Sequence, residues 1–174
     1  MTGCLYKLVR NISKYQTFST TAAMVKEKPN SVRTYDEDGF RRRAACLCFK
    51  DHTEQEILLV TSSKNKDGWV IPGGGVEPFE EPRIAAAREA FEEAGAIGQL
   101  GRELGLFENT EKRHRTCLYA FTVTELTDEW EDAKAMGRRR QWFSIDKAKE
   151  YLSIHKPIQV TYLEILQSNV GIVN

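Results

Sequence analysis

Three glutamates, Glu89, Glu92 and Glu93, stand at i, i+3 and i+4. In a helix, at about 100° per residue, that spacing projects all three carboxylates from one face. Like charges so close repel, so the pattern reads either as a solvated acidic face or as a site that needs negative charge. A short way upstream runs Gly73-Gly74-Gly75. Glycines allow the backbone to approach a ligand and present its amides and carbonyls. A glycine loop followed by a carboxylate-faced helix suits a hard divalent cation and a phosphate. Mg²⁺ in particular is held by one or two carboxylates together with substrate phosphates and water.

The elements that must position these groups can be read around them. Pro82 opens the helix where its missing N–H costs nothing, and Gly95 closes it in the usual capping place. Ile84, Ala87, Phe91 and Ala94 form the expected apolar stripe on the opposite side, leaving the glutamate face exposed. Upstream, residues 43–49 and 56–61 are β-like runs separated by a polar loop at 51–55. After a second loop at 64–68, Trp69-Val70-Ile71 is a short strand ending at Pro72 and the glycines, where no regular element is expected to continue. Downstream, residues 104–108, 116–126 and 141–144 read as strands, and 145–152 and 157–166 as helices. Cys46 and Cys48 flank Leu47 and point to one strand face as buried hydrophobes. The order argues for an α+β fold with a mixed sheet and helices on both faces.

With 174 residues and 41% hydrophobic content the chain can bury one core. Equal numbers of basic and acidic residues, 25 each, remove any global argument for nucleic acid or an anionic membrane. Four cysteines without a C-x-x-C pair are too few for a disulfide scaffold and favour a reducing compartment. No apolar run approaches the roughly 18 residues needed to cross a bilayer. Residues 1–30 are expected to be a disordered or targeting-like extension, 31–168 the folded domain and 169–174 a tail. Lys7, Arg10 and Lys14, amid Ser and Thr and without acids, resemble a mitochondrial transit peptide, while Met24 offers an alternative start. The expected location is the cytoplasm, with the nucleus also open, or the mitochondrion if residues 1–23 act as that signal.

Gly74, Glu80 and the run Arg88-Glu89-Ala90-Phe91-Glu92-Glu93-Ala94-Gly95-Ala96 match the Nudix box, Gly-x5-Glu-x7-Arg-Glu-U-x-Glu-Glu-x-Gly-U with U apolar. The chain therefore resembles the Nudix hydrolases, which implies the Nudix fold, a mixed sheet sandwiched between helices. The resemblance implies water attack on a diphosphate with Mg²⁺ or Mn²⁺. It further implies Glu89 and Glu93 as metal ligands with the backbone of Gly73, Glu92 as the base and Arg88 orienting a glutamate by ion pairing. Position alone does not separate Glu89, Glu92 and Glu93 as the base.

Three basic runs stand out in a chain without net charge: Arg41-Arg42-Arg43, Lys112-Arg113-His114-Arg115 and Arg138-Arg139-Arg140. Each alone is commonly a solvated strand edge. Brought together beside the glycines they would make a pocket for many phosphates. Beyond the box, Arg33 to Asp36, Arg43 to Phe49, Trp69 to Gly75, Phe107 to Asn109, His114 to Thr116, Trp130 to Asp132, Gly137-Arg138 and His155 to Pro157 resemble the diphosphoinositol polyphosphate phosphohydrolases. That resemblance implies removal of a β-phosphate from a diphosphoinositol polyphosphate by a monomeric enzyme. It places the substrate on Arg33, Arg41, Arg43, Ser62, Lys64, Gly73 to Gly75, Lys112, His114, Arg138 and Lys156, and Arg42 is added from its run. Alternatives are hydrolysis of dinucleoside polyphosphates or of an RNA cap, and a module that senses phosphorylated ligands without cleaving them.

Overall fold

The computed structural model describes residues 32–168. The extension expected over residues 1–30, the alternative start at Met24 and the tail at 169–174 lie outside them. Strand β1 (Arg41–Phe49) is the centre of a seven-stranded mixed sheet. Along one edge it pairs in parallel with β6 (His114–Leu126), with Arg43 opposite Thr116 and Phe49 opposite Thr122. Its other edge is divided between two partners. Near its C-terminal end Phe49 meets Ile57 of β2 (Glu56–Thr61), whereas its first half meets β4 (Gly73–Gly75), with Arg43 opposite Gly75 and Ala45 opposite Gly73. The sheet therefore forks. Strand β3 (Trp69–Val70) and β7 (Arg140–Ser144) flank β2, and β5 (Ala96–Asn109) pairs with β6.

Alternation along β1 produces two cores. Ala44, Cys46 and Cys48 pack with Leu58, Val60 and Phe121 beneath α1 (Pro82–Ala94). Ala45, Leu47 and Phe49 pack on the opposite face with Leu152 of α3 (Ile145–His155) and with Tyr162 and Leu163 of α4 (Pro157–Ser168). Truncating a fully buried residue such as Leu47 to Ala is expected to cost about 2–5 kcal/mol. The sheet is thus sandwiched between helices, as expected.

Three expectations are corrected. The glycine run was expected to hold no regular element, yet it forms β4. An added Cβ at Gly73 would come within 2.5 Å of Ala45 Cβ and 2.7 Å of Ala44 O, so only glycine lets this strand lie against β1. On α1 the packing face is Ala85, Ala86, Ala87, Ala90 and Ala94, while Ile84 and Phe91 are only half-buried. Small side chains bring the helix close to the strands and leave the larger residues on its flanks. Finally, β5 begins at Ala96 rather than 104, through three register shifts that its glycine-rich sequence disguises, and β1 and β6 begin at Arg41 and His114, inside the basic runs. Helix α2 (Glu131–Met136) was not anticipated, although Glu131 and Asp132 in its first turn and a left-handed Gly137 at its end are ordinary helix signals. No helix of the described residues is long and apolar enough to cross a membrane.

Candidate active site

The glutamate face of α1 is covered, contrary to the expected exposed face. Strand β4 lies over it so closely that a Cβ on Gly74 would collide with the Glu89 carboxylate. Glu89 is 7% exposed and the side chain of Glu93 14%. Both ends of α1 are pinned. Pro82 is at its start, and at its end Gly95 adopts φ 61° and donates to Phe91 O. Trp130 Nε1 donates to Glu93 O at 2.9 Å and Arg140 Nη1 to Ala94 O at 2.7 Å, placing a cation at the negative end of the helix.

Arg88 ties the floor together. It grips Glu80 with two hydrogen bonds, Nε to Oε1 at 2.9 Å and Nη2 to Oε2 at 3.0 Å. The same guanidinium donates to Gly75 O at 3.0 Å, to Glu89 Oε1 at 3.0 Å and to Glu92 Oε2 at 3.4 Å. Burial would lower its pKa, but Glu80, Glu89 and Glu92 around it hold it above the ordinary arginine value. Arg88 is therefore a positioning residue. Glu80, its main partner, carries no role in the sequence reading, though its place in the box was the signal.

Glu93 accepts from Gly73 N–H at 2.9 Å and faces Arg138 Nη1 at 3.0 Å. Burial pushes its carboxyl up to about 7; Arg138 and the Gly73 amide oppose that rise, and the charges of Glu89 and Asp132 add to it. Excess buried negative charge fits a cation, and an all-oxygen donor set of few carboxylates fits Mg²⁺ or Mn²⁺ completed by phosphate and water. Among the described residues no three acidic, His or Cys side chains converge on one point to hold an ion without such help. Glu89, Glu93 and the Gly73 carbonyl are placed so that they could hold such an ion, the carbonyl accepting from Arg43 Nη2 at 3.0 Å.

These groups form the floor of a cavity of about 650 Å³ in the fork between β1, β4 and α4. Of the expected substrate residues, Arg33, Arg41, Arg43, Ser62, Lys64 and Gly73 to Gly75 line it, as do Lys112, His114, Arg138 and Lys156. Arg42 does not. Its neighbours on both sides do, because β1 alternates and Arg42 shares the face of Ala44 and Cys46. The other two runs divide similarly. Arg113 and Arg115 stack on Phe40, and Arg115 is paired with Asp36, Asp38 and Glu108. Arg139 lies over Trp69, and Arg140 caps α1.

The gathered cations disfavour one another. The pKa of Arg41 is lowered by burial and by Arg43 and Arg33. Burial also lowers that of His114, helped by Arg43, Lys112 and Arg41. Lys156 is lowered by burial and by Lys112, Arg43 and Lys64. Asn109, Thr116, Asp132, Gln159 and Tyr162 also line the cavity and were missed. Gln159 Oε1 accepts from Ile71 N–H at 3.0 Å and so fastens α4 to the strand before the glycines, a pairing over 88 residues that no local pattern signals.

A model of the NUDIX domain matches residues 39–162, most of the chain. The chain belongs to the Nudix family. It is 55% identical over 143 residues to diphosphoinositol polyphosphate phosphohydrolase 2 of Rattus norvegicus, covering 82% of this chain and 80% of that protein. It is also 54% identical over 144 residues to diphosphoinositol polyphosphate phosphohydrolase 3-beta of Homo sapiens, covering 82% and 88%. Among solved structures, the E. coli ORF135 protein superposes with a TM-score of 0.56 at 23% identity, over 75% of this chain and 90% of that one. A C. elegans Ap4A hydrolase does so with a TM-score of 0.53 at 17% identity, over 75% and 97%. These two likenesses concern the fold. In this Nudix domain the box thus supplies the floor of the cavity, and residues scattered from Arg33 to Lys156 supply its basic rim.

Proposed function

We propose that this Nudix hydrolase removes the β-phosphate from diphosphoinositol polyphosphates, yielding the inositol polyphosphate and phosphate. The observation that carries the reading is the cavity's charge: seven Lys and Arg side chains against four carboxylates, in a chain with no net charge. A substrate bearing phosphates on several sides of a small ring would answer cations placed on β1, the β5–β6 turn, the segment after α2 and the α3–α4 junction together. Two relatives at 54–55% identity bear the name of this activity. The lining contains no Trp or Phe among the described residues, so a nucleobase has only Tyr162 and His114 as rings to meet, which disfavours the dinucleoside and cap alternatives.

Arg33, Arg41, Lys64, Lys112, His114 and Lys156 would bind the phosphates that do not react. Arg88 and Glu80 would hold Glu89 and Glu92 in place. Mg²⁺, or Mn²⁺, would neutralise the diphosphate oxygens and acidify the attacking water. Glu92, whose side chain is 25% exposed against 10% for Glu89 and 14% for Glu93, is the carboxylate of the three most open to water and so the one we assign to accept the proton. Phosphate release from a diphosphoinositol substrate and from a dinucleoside polyphosphate, compared as kcat/KM with Mg²⁺, tests the reading. Equal or greater efficiency on the dinucleoside substrate would overturn it.

A further inference from the structure

Arg138 is held between two acids from different elements. Its Nη1 lies 3.0 Å from Glu93 Oε1 and its Nε 3.2 Å from Asp132 Oδ2. All three side chains are withdrawn from water, at 6%, 14% and 1% exposure in that order. Asp132 and Arg138 belong to one bracket: Asp132 stands in the first turn of α2, Gly137 reverses the chain at φ 68°, and Arg138 N–H returns to Asp132 O at 3.2 Å. Glu93 belongs to α1, whose C-terminal end is held by Trp130 and Arg140, the residues that flank this bracket. Arg138 is therefore ion-paired at Nε, without a hydrogen bond there, to Asp132 of its own bracket and reaches across to α1 with Nη1. A guanidinium and a divalent cation cannot both occupy Glu93 Oε1, because their repulsion would act in a poorly solvated cavity.

We propose that Arg138 is a resident counter-ion, which neutralises Glu93 in the metal-free protein and yields it to the divalent cation, turning about Asp132 toward the phosphates in the cavity. Asp132 is then a positioning residue that keeps Arg138 at the site through the exchange. The inference rests on Glu93 as a metal ligand.

The test is Mn²⁺ binding to the full chain without substrate, followed by the electron paramagnetic resonance of free Mn²⁺. Arg138→Met should bind Mn²⁺ about tenfold more tightly than wild type, about 1.4 kcal/mol, and melt at a lower temperature without metal. Asp132→Asn should bind it about threefold more weakly, because Arg138 then settles wholly on Glu93, and this loss should vanish in the Arg138→Met background. An affinity unchanged or weakened by Arg138→Met, or an Asp132→Asn loss equal in both backgrounds, overturns the exchange. Should Arg138→Met not fold, Arg138→Lys decides: a gain of about twofold to threefold supports the proposal and none overturns it. Glu93→Gln separates the underlying assignment. If it keeps full Mn²⁺ affinity, Glu93 is not a ligand; if it loses affinity while the Arg138 variants gain none, only the exchange fails.

Discussion

At the α1 end of the cavity each carboxylate is already answered: Glu80, Glu89 and Glu92 by Arg88, Glu93 by Arg138 and a backbone amide. At the rim the balance is reversed, and basic side chains from five separate stretches of chain lower one another's proton affinity. The floor is thus a built lattice of ion pairs, whereas the rim gathers positive charge that a phosphorylated ligand would neutralise. Chemistry should therefore be lost by changes on the floor and selectivity by changes on the rim.

The largest effect is expected from Glu89→Gln and Glu93→Gln. Each is proposed to hold the divalent cation, so its loss should lower kcat by at least about a thousandfold, with the fold retained in far-UV circular dichroism. Near-normal kcat in either variant would collapse the division between floor and rim. The glycines sharpen it further. Gly74→Ala must displace Glu89 and should cut kcat about a hundredfold or more, as small misplacements of reacting groups do. Gly73→Ala strikes the backbone of β1 instead, and should cost about 1–3 kcal/mol of stability by overpacking. Comparable loss of melting temperature in both would show that the distinction is false.

On the rim, Lys156→Ala and Lys64→Ala should each raise KM for the inositol substrate about tenfold at low salt and leave kcat within about threefold. Arg42→Ala, from the middle of its basic run but outside the cavity, should leave KM within about twofold, as surface substitutions do. A KM defect for Arg42→Ala as large as for Lys156→Ala would mean that run length, rather than strand alternation, sets binding.

The smallest effect is a pH dependence. In the free protein His114 holds its proton less tightly than the ordinary value of 6.5. The unfolded chain therefore binds more protons there, and this contribution to stability is lost as pH falls below about 6.5. Phosphates in the cavity would raise the His114 pKa, so ligand binding takes up a proton and tightens as pH falls. Titration calorimetry with an inositol polyphosphate in two buffers of different ionisation enthalpy should report fractional proton uptake near pH 6.5. The uptake should shrink in His114→Asn; an unchanged value would remove His114 from the ligand's surroundings.

The chemistry was legible in sequence because the box is local. Helix periodicity alone puts Glu89, Glu92 and Glu93 on one side, and Pro82 and Gly95 mark the helix ends. Runs bounded by turn residues also disclose most strands and both C-terminal helices. What a linear pattern could not carry was anything decided across the sheet. The burial of the glutamate face depends on β4 pairing with β1, since only that contact places the glycines over Glu89. Likewise, β1 and β6 begin inside their basic runs, so alternation sends Arg41, Arg43, Lys112 and His114 to the cavity and sends Arg42 and Arg115 elsewhere. The pairing of Arg138 with Glu93 joins residues 45 positions apart through a helix too short to announce itself. Sequence by itself determined which groups could meet a metal and a diphosphate, because covalent spacing sets angle on a helix. Only the tertiary structure decided which charges face one another and how much water is left between them, because burial and Coulomb energy depend on distance through space.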